Sequence, residues 1–240
     1  MSNTVSEIIA NMVRDQPLRA NVFERHQIDY CCNGKRSLEE VCVERGLDPK
    51  HLRAELEAVA PADARQSFAT TALTELADHI VTRHHAYLRT NLPSIAHKAQ
   101  RVLAVHGDKY AFLAELDRVF QGLSSELTQH MMKEEMVLFP LIGRLEKAEQ
   151  EGQAPPSAPG GSIRNPIRMM EHEHDDAGRD LKSMRQLTSN FEPPAEACNT
   201  FRALYAQLED LERDLHTHIH LENNILFPRA AELEQRLAGR

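Results

Sequence analysis

Two stretches constrain this chain more than any others. HMMKEEMVLFP at 130–140 and HIHLENNILFP at 218–228 share one skeleton: His, Glu four residues on, Leu eight on, Phe nine on and Pro ten on. In a helix, residues i and i+4 lie one turn apart on the same face. His130 with Glu134, and His218 with Glu222, therefore each aim an imidazole and a carboxylate at one spot. The apolar residues that follow continue the inward side, which places that spot in the interior. A buried carboxylate needs a compensating charge, and a metal ion supplies one. A single His-x-x-x-Glu is an ordinary surface pair on many helices. Duplication of the whole skeleton makes an interior metal site the better reading.

The surrounding pattern is helical. With 240 residues, 41% of them hydrophobic, the chain can bury a core as one large domain or two smaller ones. It has no Trp and little Gly, which points to an all-α fold rather than sheets. Long helical patterns run over 73–103, 110–148, 165–188 and 196–237, with a kink expected at Pro93. Four helices of this length make a four-helix bundle. QEGQAPPSAPGGS and FEPPAE break the pattern. The first sixty or so residues read as a separate small helical unit. Within it, Ser37 and Glu40 form a capping box, Gly46 is a stop, and Asp48-Pro49 starts another helix. PADARQSFAT at 61–70 reads as a linker, so the expected domains are 1–62 and 68–240, separable units of which the second is expected to fold by itself.

Charge and composition exclude some classes. A net charge of -8 argues against a nucleic-acid binder, which needs a basic face. No apolar run reaches the length of a membrane span, and no leader is visible at the N-terminus, so a cytoplasmic protein is expected. A reducing compartment favours free thiols for the four Cys. The unusual number is 13 His. HIVTRHHAYL offers His79, His84 and His85, AVHGDK offers His106, and MMEHEHDDAG offers His172 and His174. Two carboxylates and four or more imidazoles fit two metal ions bridged by the carboxylates. The Glu-x-x-His spacing of ferritin-like sites is absent, and an imidazole-rich shell suits iron, zinc or copper.

HMMKEE followed by LFP, EHDDAG, HIHLENNILFP and DYCCNGK together resemble the Repair of Iron Centres family over nearly the whole chain. The resemblance implies a hemerythrin-like di-iron bundle behind a small Cys-bearing domain. It implies a role in restoring iron-sulfur clusters damaged by nitric oxide or oxidants. Its ligands fall on His85, His106, His130, Glu134, His174, His218 and Glu222, with Glu134 and Glu222 as the bridging carboxylates. His85 is the second His of its pair, because it keeps the family's spacing to Leu92-Pro93. His84, His172, His216 and His220 have no role in that pattern and are expected to be solvated or to stand behind the ligands. His51 and His97 are expected at the surface, and His79 as a packing residue. The family has Cys-Cys-Gly-Gly where this chain has Cys31-Cys32-Asn33-Gly34, and Asn is expected to replace the first Gly by tolerating a left-handed backbone.

Cys31 and Cys32 precede Lys35, Arg36 and the helix capped by Ser37. Basic neighbours and a helix N-terminus both favour thiolate, so the pair is a candidate for redox chemistry or iron handling. Cys42 and Cys198 are expected to be structural. In charge terms, two ferrous ions with two carboxylates and neutral imidazoles leave +2. An oxo or hydroxo bridge, or nitric oxide, fits there, and such a shell is expected to release iron more readily than a carboxylate-rich one. The leading expectation is a stress-response protein that supplies iron to damaged iron-sulfur proteins. The alternatives are nitric oxide reduction at the di-iron centre, and binding or sensing of dioxygen or nitric oxide. A homodimer is compatible with any of these.

Overall fold

A computed structural model describes residues 7–59 and 68–239, and among them every regular element is helical. Most of the expected linker, 61–67, lies outside the described residues. Four short helices come first: α1 (Ile9–Asp15), α2 (Ala20–Arg25), α3 (Leu38–Arg45) and α4 (Pro49–Glu57). Local sequence accounts for their ends. Ser37 Oγ accepts from the Glu40 amide while Glu40 Oε2 accepts from the Ser37 amide at 2.8 Å, the reciprocal capping box. Gly46 stops α3 in the left-handed region, φ 66°. Asp48 Oδ1 caps α4 through the Lys50 amide, and Pro49 opens it.

The long helices follow: α5 (Leu73–Ile80), α6 (Ala86–His106), α7 (Phe112–Lys133), α8 (Phe139–Glu151), α9 (Arg164–Leu187), α10 (Asn199–Leu221) and α11 (Phe227–Ala238). One five-residue π turn joins each of α5 to α6, α7 to α8 and α10 to α11. The four expected patterns are thus continuous helical paths, each interrupted by a wider turn except for α9. Helix α6 runs through Pro93 rather than ending there.

Contacts divide the chain into two compact units. One comprises His79–Leu141 and Ala158–Leu215. It is a four-helix bundle, cored by Leu88, Leu92 and Ile95 of α6, Leu116, Phe120 and Leu123 of α7, Leu181 and Met184 of α9, and Phe201, Leu204 and Leu208 of α10. Arg185 of α9 grips the buried Glu212 of α10 through its guanidinium, with Nε 2.9 Å from Oε2. The other unit comprises Met1–Asp78, Ile142–Ser157 and His216–Arg240. Its core joins Ile9, Phe23, Tyr30, Leu38 and Leu52 to Ile219 of α10. Compactness therefore groups the N-terminal helices with two later segments, a division the linear sequence does not reveal. Among the described residues no helix is long and apolar enough to cross a membrane.

Candidate metal centre

The three π turns mark the site. They run Val81–His85, Glu134–Leu138 and Glu222–Leu226, so His85 closes the first while Glu134 and Glu222 open the other two. Such turns are rare and concentrate at functional positions. The repeated Leu-Phe-Pro explains two of them. Proline lacks an N–H, and its ring clashes with the carbonyl four residues earlier. For Pro140 and Pro228 those carbonyls belong to Met136 and Asn224, inside the π turns. The wider turn accommodates the ring without ending the helix.

Within the four-helix unit, His85, His130, Glu134 and His174 are all buried, and Glu134 is 0% exposed. Glu134 Oε2 lies 3.3 Å from Nε2 of His85 and 3.3 Å from Nε2 of His130. His174 Nε2 lies 3.1 Å from His130 Nε2. The outer ring nitrogens fix the tautomers. His85 Nδ1 is 2.6 Å from Glu135 Oε1, and His130 Nδ1 is 2.9 Å from Glu173 Oε2. A carboxylate only accepts, so each Nδ1 carries a proton, and in the neutral ring the Nε2 lone pair then faces inward. Imidazole nitrogens and a carboxylate oxygen converge on one buried spot. The donor set thus fits a metal ion, with the carboxylate-imidazole backing that metal sites use.

On the last helical path, His218 Nε2 lies 3.2 Å from Glu222 Oε1, and both residues are buried. Within the four-helix unit, the donor atoms of His130, Glu134 and His174 lie within 4.8 Å of one another.

Glu135 and Glu173 are the residues that sequence reasoning missed. Hydrogen bonding from His130, with help from Lys133 and against the effect of burial, holds the Glu173 carboxyl down at about 2. For Glu135 burial opposes the shift, but hydrogen bonds from His85 and Arg89 keep its pKa below the ordinary carboxylate value. Two more negative charges therefore stand one imidazole away, each balanced by a cation. The shell is less carboxylate-poor than a count of direct donors implies. The available signal was adjacency, since each Glu neighbours an expected ligand in the sequence. Changing Glu173 to Gln should weaken metal affinity by about 10–100-fold, the usual cost of losing such a partner. Chelator competition measures this, and an unchanged affinity would show that the hydrogen bond does not tune the site.

Other expectations need correction. His106 is not brought to these groups. It ends α6, with Nε2 3.3 Å from Cys198 Sγ and its ring against Phe201. Helix length sets this: His85 immediately precedes α6 and His106 ends it, 21 residues on. Cys198 is exposed just before α10, and hydrogen bonding to His106 and to amides of the first turn lowers its pKa. His84 is buried rather than solvated, with Nδ1 3.0 Å from Asp214 Oδ1 and His79 against its ring. His220 is buried too, while His216 meets Glu24 at 2.8 Å. His51, His97 and His172 are exposed and Cys42 is buried.

The surroundings of Cys31 do not favour the expected thiolate. The hydrogen bond with Cys32, burial and the nearby Asp29 push its pKa up. Lys35 is exposed and Arg36 pairs with Glu44 instead. Asp29 organises the turn: Oδ1 accepts the amides of Cys31 (3.0 Å) and Cys32 (2.9 Å), and Oδ2 accepts Asn33 Nδ2 at 2.7 Å. Asn33 does not adopt a positive φ. It substitutes for Gly by adding a hydrogen bond, not by relaxing the backbone.

A helical protein with buried His and Glu donors on its helices, set at π turns, is of the hemerythrin class. Residues 76–230 match the Hemerythrin HHE cation binding domain, and residues 4–60 match a domain of unknown function, DUF542. The chain is 40% identical to the iron-sulfur cluster repair protein YtfE of Enterobacter sp. (strain 638), over 90% of this chain and 97% of that protein. It is 39% identical to YtfE of Escherichia coli O157:H7 over the same shares. With YtfE of Pectobacterium atrosepticum it shares 40% identity over 89% of this chain and 91% of that protein. The chain belongs to the family of these iron-sulfur cluster repair proteins.

Proposed function

We propose that this chain is a di-iron protein that restores iron-sulfur clusters damaged by nitrosative or oxidative stress, supplying iron as its cargo. The observation that carries the reading is Glu134 Oε2, held 3.3 Å from inward-facing nitrogens on two different helices. The shared names and high identity of the relatives support the same role. Iron bound at such a centre supplies Lewis acidity and one-electron chemistry. The protein's own residues do the rest. Glu134 and Glu222, the carboxylates of the repeated His-x-x-x-Glu skeleton, would both hold the iron. Glu135 and Glu173 keep the Nδ1 protons outward, so that the lone pairs of His85 and His130 stay aimed at the metal. His174 and His218 complete the imidazole shell, and burial excludes water. Neutral imidazoles let iron leave without stranding as many charges as a four-carboxylate shell would. Cys31 and Cys32 act as thiols that handle iron or electrons.

The test begins with anaerobic ferrous loading, which should give about two iron ions per chain, the number that two His-x-x-x-Glu turns with further imidazoles accommodate. The loaded protein should then pass labelled iron to a dehydratase whose cluster has been damaged, and restore its activity. Cys31→Ala/Cys32→Ala should keep its iron and repair more slowly. Saturation at one ion, or a clear preference for zinc, sinks the di-iron reading. Nitrous oxide formed from nitric oxide with no iron transferred sinks the donor reading.

A further inference from the structure

The segment His216–Asn224 has two working faces. His218 and Glu222 share one. His216, His220 and Asn224 recur at the same i+4 spacing, offset by two residues, so they lie on the opposite side. Each of this second set also meets an N-terminal residue of the same compact unit. His216 Nδ1 is 2.8 Å from Glu24 Oε1. The His220 ring meets Tyr30 edge-on, with centroids 5.5 Å apart. Asn224 Nδ2 lies 3.0 Å from the Cys31 carbonyl oxygen and 3.2 Å from His220 Nδ1. Both of those partners accept, so the amide's two protons are used at once. Ile219 is buried in the same core cluster as Phe23 and Tyr30.

We propose that Asn224 and His220 are positioning residues that latch the Cys31–Cys32 turn onto the π turn opened by Glu222, so that metal occupancy controls access to the thiols. The inference rests on the reading that Glu222 holds metal. Its physical basis is the π turn itself. A π turn and an α-helical turn are discrete alternatives that differ by one residue in register. Metal ligation through Glu222 fixes the first residue of the turn and thereby fixes Asn224 two residues on. Loss of metal removes that restraint, the amide withdraws from the Cys31 carbonyl, and the turn opens. Cys31 is 3% exposed with the latch closed, so opening is read directly as thiol reactivity.

The experiment follows alkylation at each cysteine in the full chain, by peptide mass spectrometry, with the protein iron-loaded or stripped by chelator under anaerobic conditions. Stripping should speed labelling of Cys31 by about ten-fold or more, an opening-energy change of about 1.4 kcal/mol or more. Cys42, buried elsewhere in the same unit, should stay slow in both states, which separates latch release from unfolding. Asn224→Asp keeps the shape and removes the donor. It should label fast at Cys31 whether loaded or stripped, with iron content unchanged. His220→Phe keeps the ring packing and removes the acceptor, and should lose part of the metal dependence. Equal Cys31 rates in loaded and stripped wild type overturn the latch, as does an Asn224→Asp protein that retains the wild-type difference. A protein that takes up zinc but no iron overturns the function proposed above and leaves the latch to be read with zinc. A protein that binds neither overturns both.

Discussion

Glu134→Gln should abolish stable metal binding while leaving a folded, helical protein. The substitution keeps the shape and removes the charge that the ring nitrogens of His85 and His130 face at 3.3 Å. A neutral amide is a far weaker metal ligand than a carboxylate, and its NH2 group competes for those nitrogens. The metal-free protein need not be destabilised, because an ionised carboxylate that is 0% exposed is itself costly to bury. What vanishes is the stabilisation by ligand, which reaches about 4 kcal/mol when metal stands at a thousand times its dissociation constant. Wild type should melt at a clearly higher temperature with ferrous iron than without, and Glu134→Gln should melt at one temperature in both. Glu222→Gln should behave alike. His106→Ala should bind iron as wild type does, since His106 meets Cys198 instead. A His106 variant that loses iron as completely as the Glu134 variant would refute the present assignment.

Gly34→Ala should be the most damaging change in the N-terminal unit. A Cβ at Gly34 would fall 2.3 Å from the Tyr30 carbonyl oxygen and 2.8 Å from Ala10 Cβ. The first obstacle is backbone and cannot swing aside. Nor can the turn simply lift, because the Gly34 carbonyl accepts the Ala10 amide at 2.9 Å and the Arg36 carbonyl accepts the Ile9 amide at 3.1 Å. Overpacking of this kind costs roughly 1–3 kcal/mol, and loss of the paired amides adds to it. The readout is labelling of Cys42, which should become fast, together with a lower midpoint in urea. Asn33→Gly, one residue earlier, should cost no more than about 1 kcal/mol, the worth of one exposed hydrogen bond to Asp29. If both variants melt with wild type, the close approach at Gly34 is not what shapes this turn.

Local sequence determined a good deal. Helical periodicity and the rarity of Gly made the chain all-α. Ser37, Glu40, Gly46 and Asp48-Pro49 marked helix ends, because capping is a contact between near neighbours. His130 with Glu134 and His218 with Glu222 were legible for the same reason, since an i+4 pair depends only on the helix that carries it. The π turns were not legible, although the proline that each of two accommodates was in plain view. Whether a helix breaks, kinks or widens before proline depends on what packs around it.

Tertiary structure decided the rest. It chose between adjacent imidazoles, turning His85 to Glu134 and His84 to Asp214. Neighbouring residues on a helix point about 100° apart, so only the positions of the other helices say which one faces inward. It left His106 at the far end of its helix and gave Glu135 and Glu173 to His85 and His130, contacts between residues 50 and 43 positions apart. It set the surroundings of Cys31, because charge near a thiol is fixed by distance in space, and there Asp29 is close while Lys35 is exposed. It also joined Cys31 to Asn224 across 193 residues, which no periodicity encodes. The helices and the identities of most donors follow from short-range geometry. Which donors meet, and what backs them, follows from long-range packing.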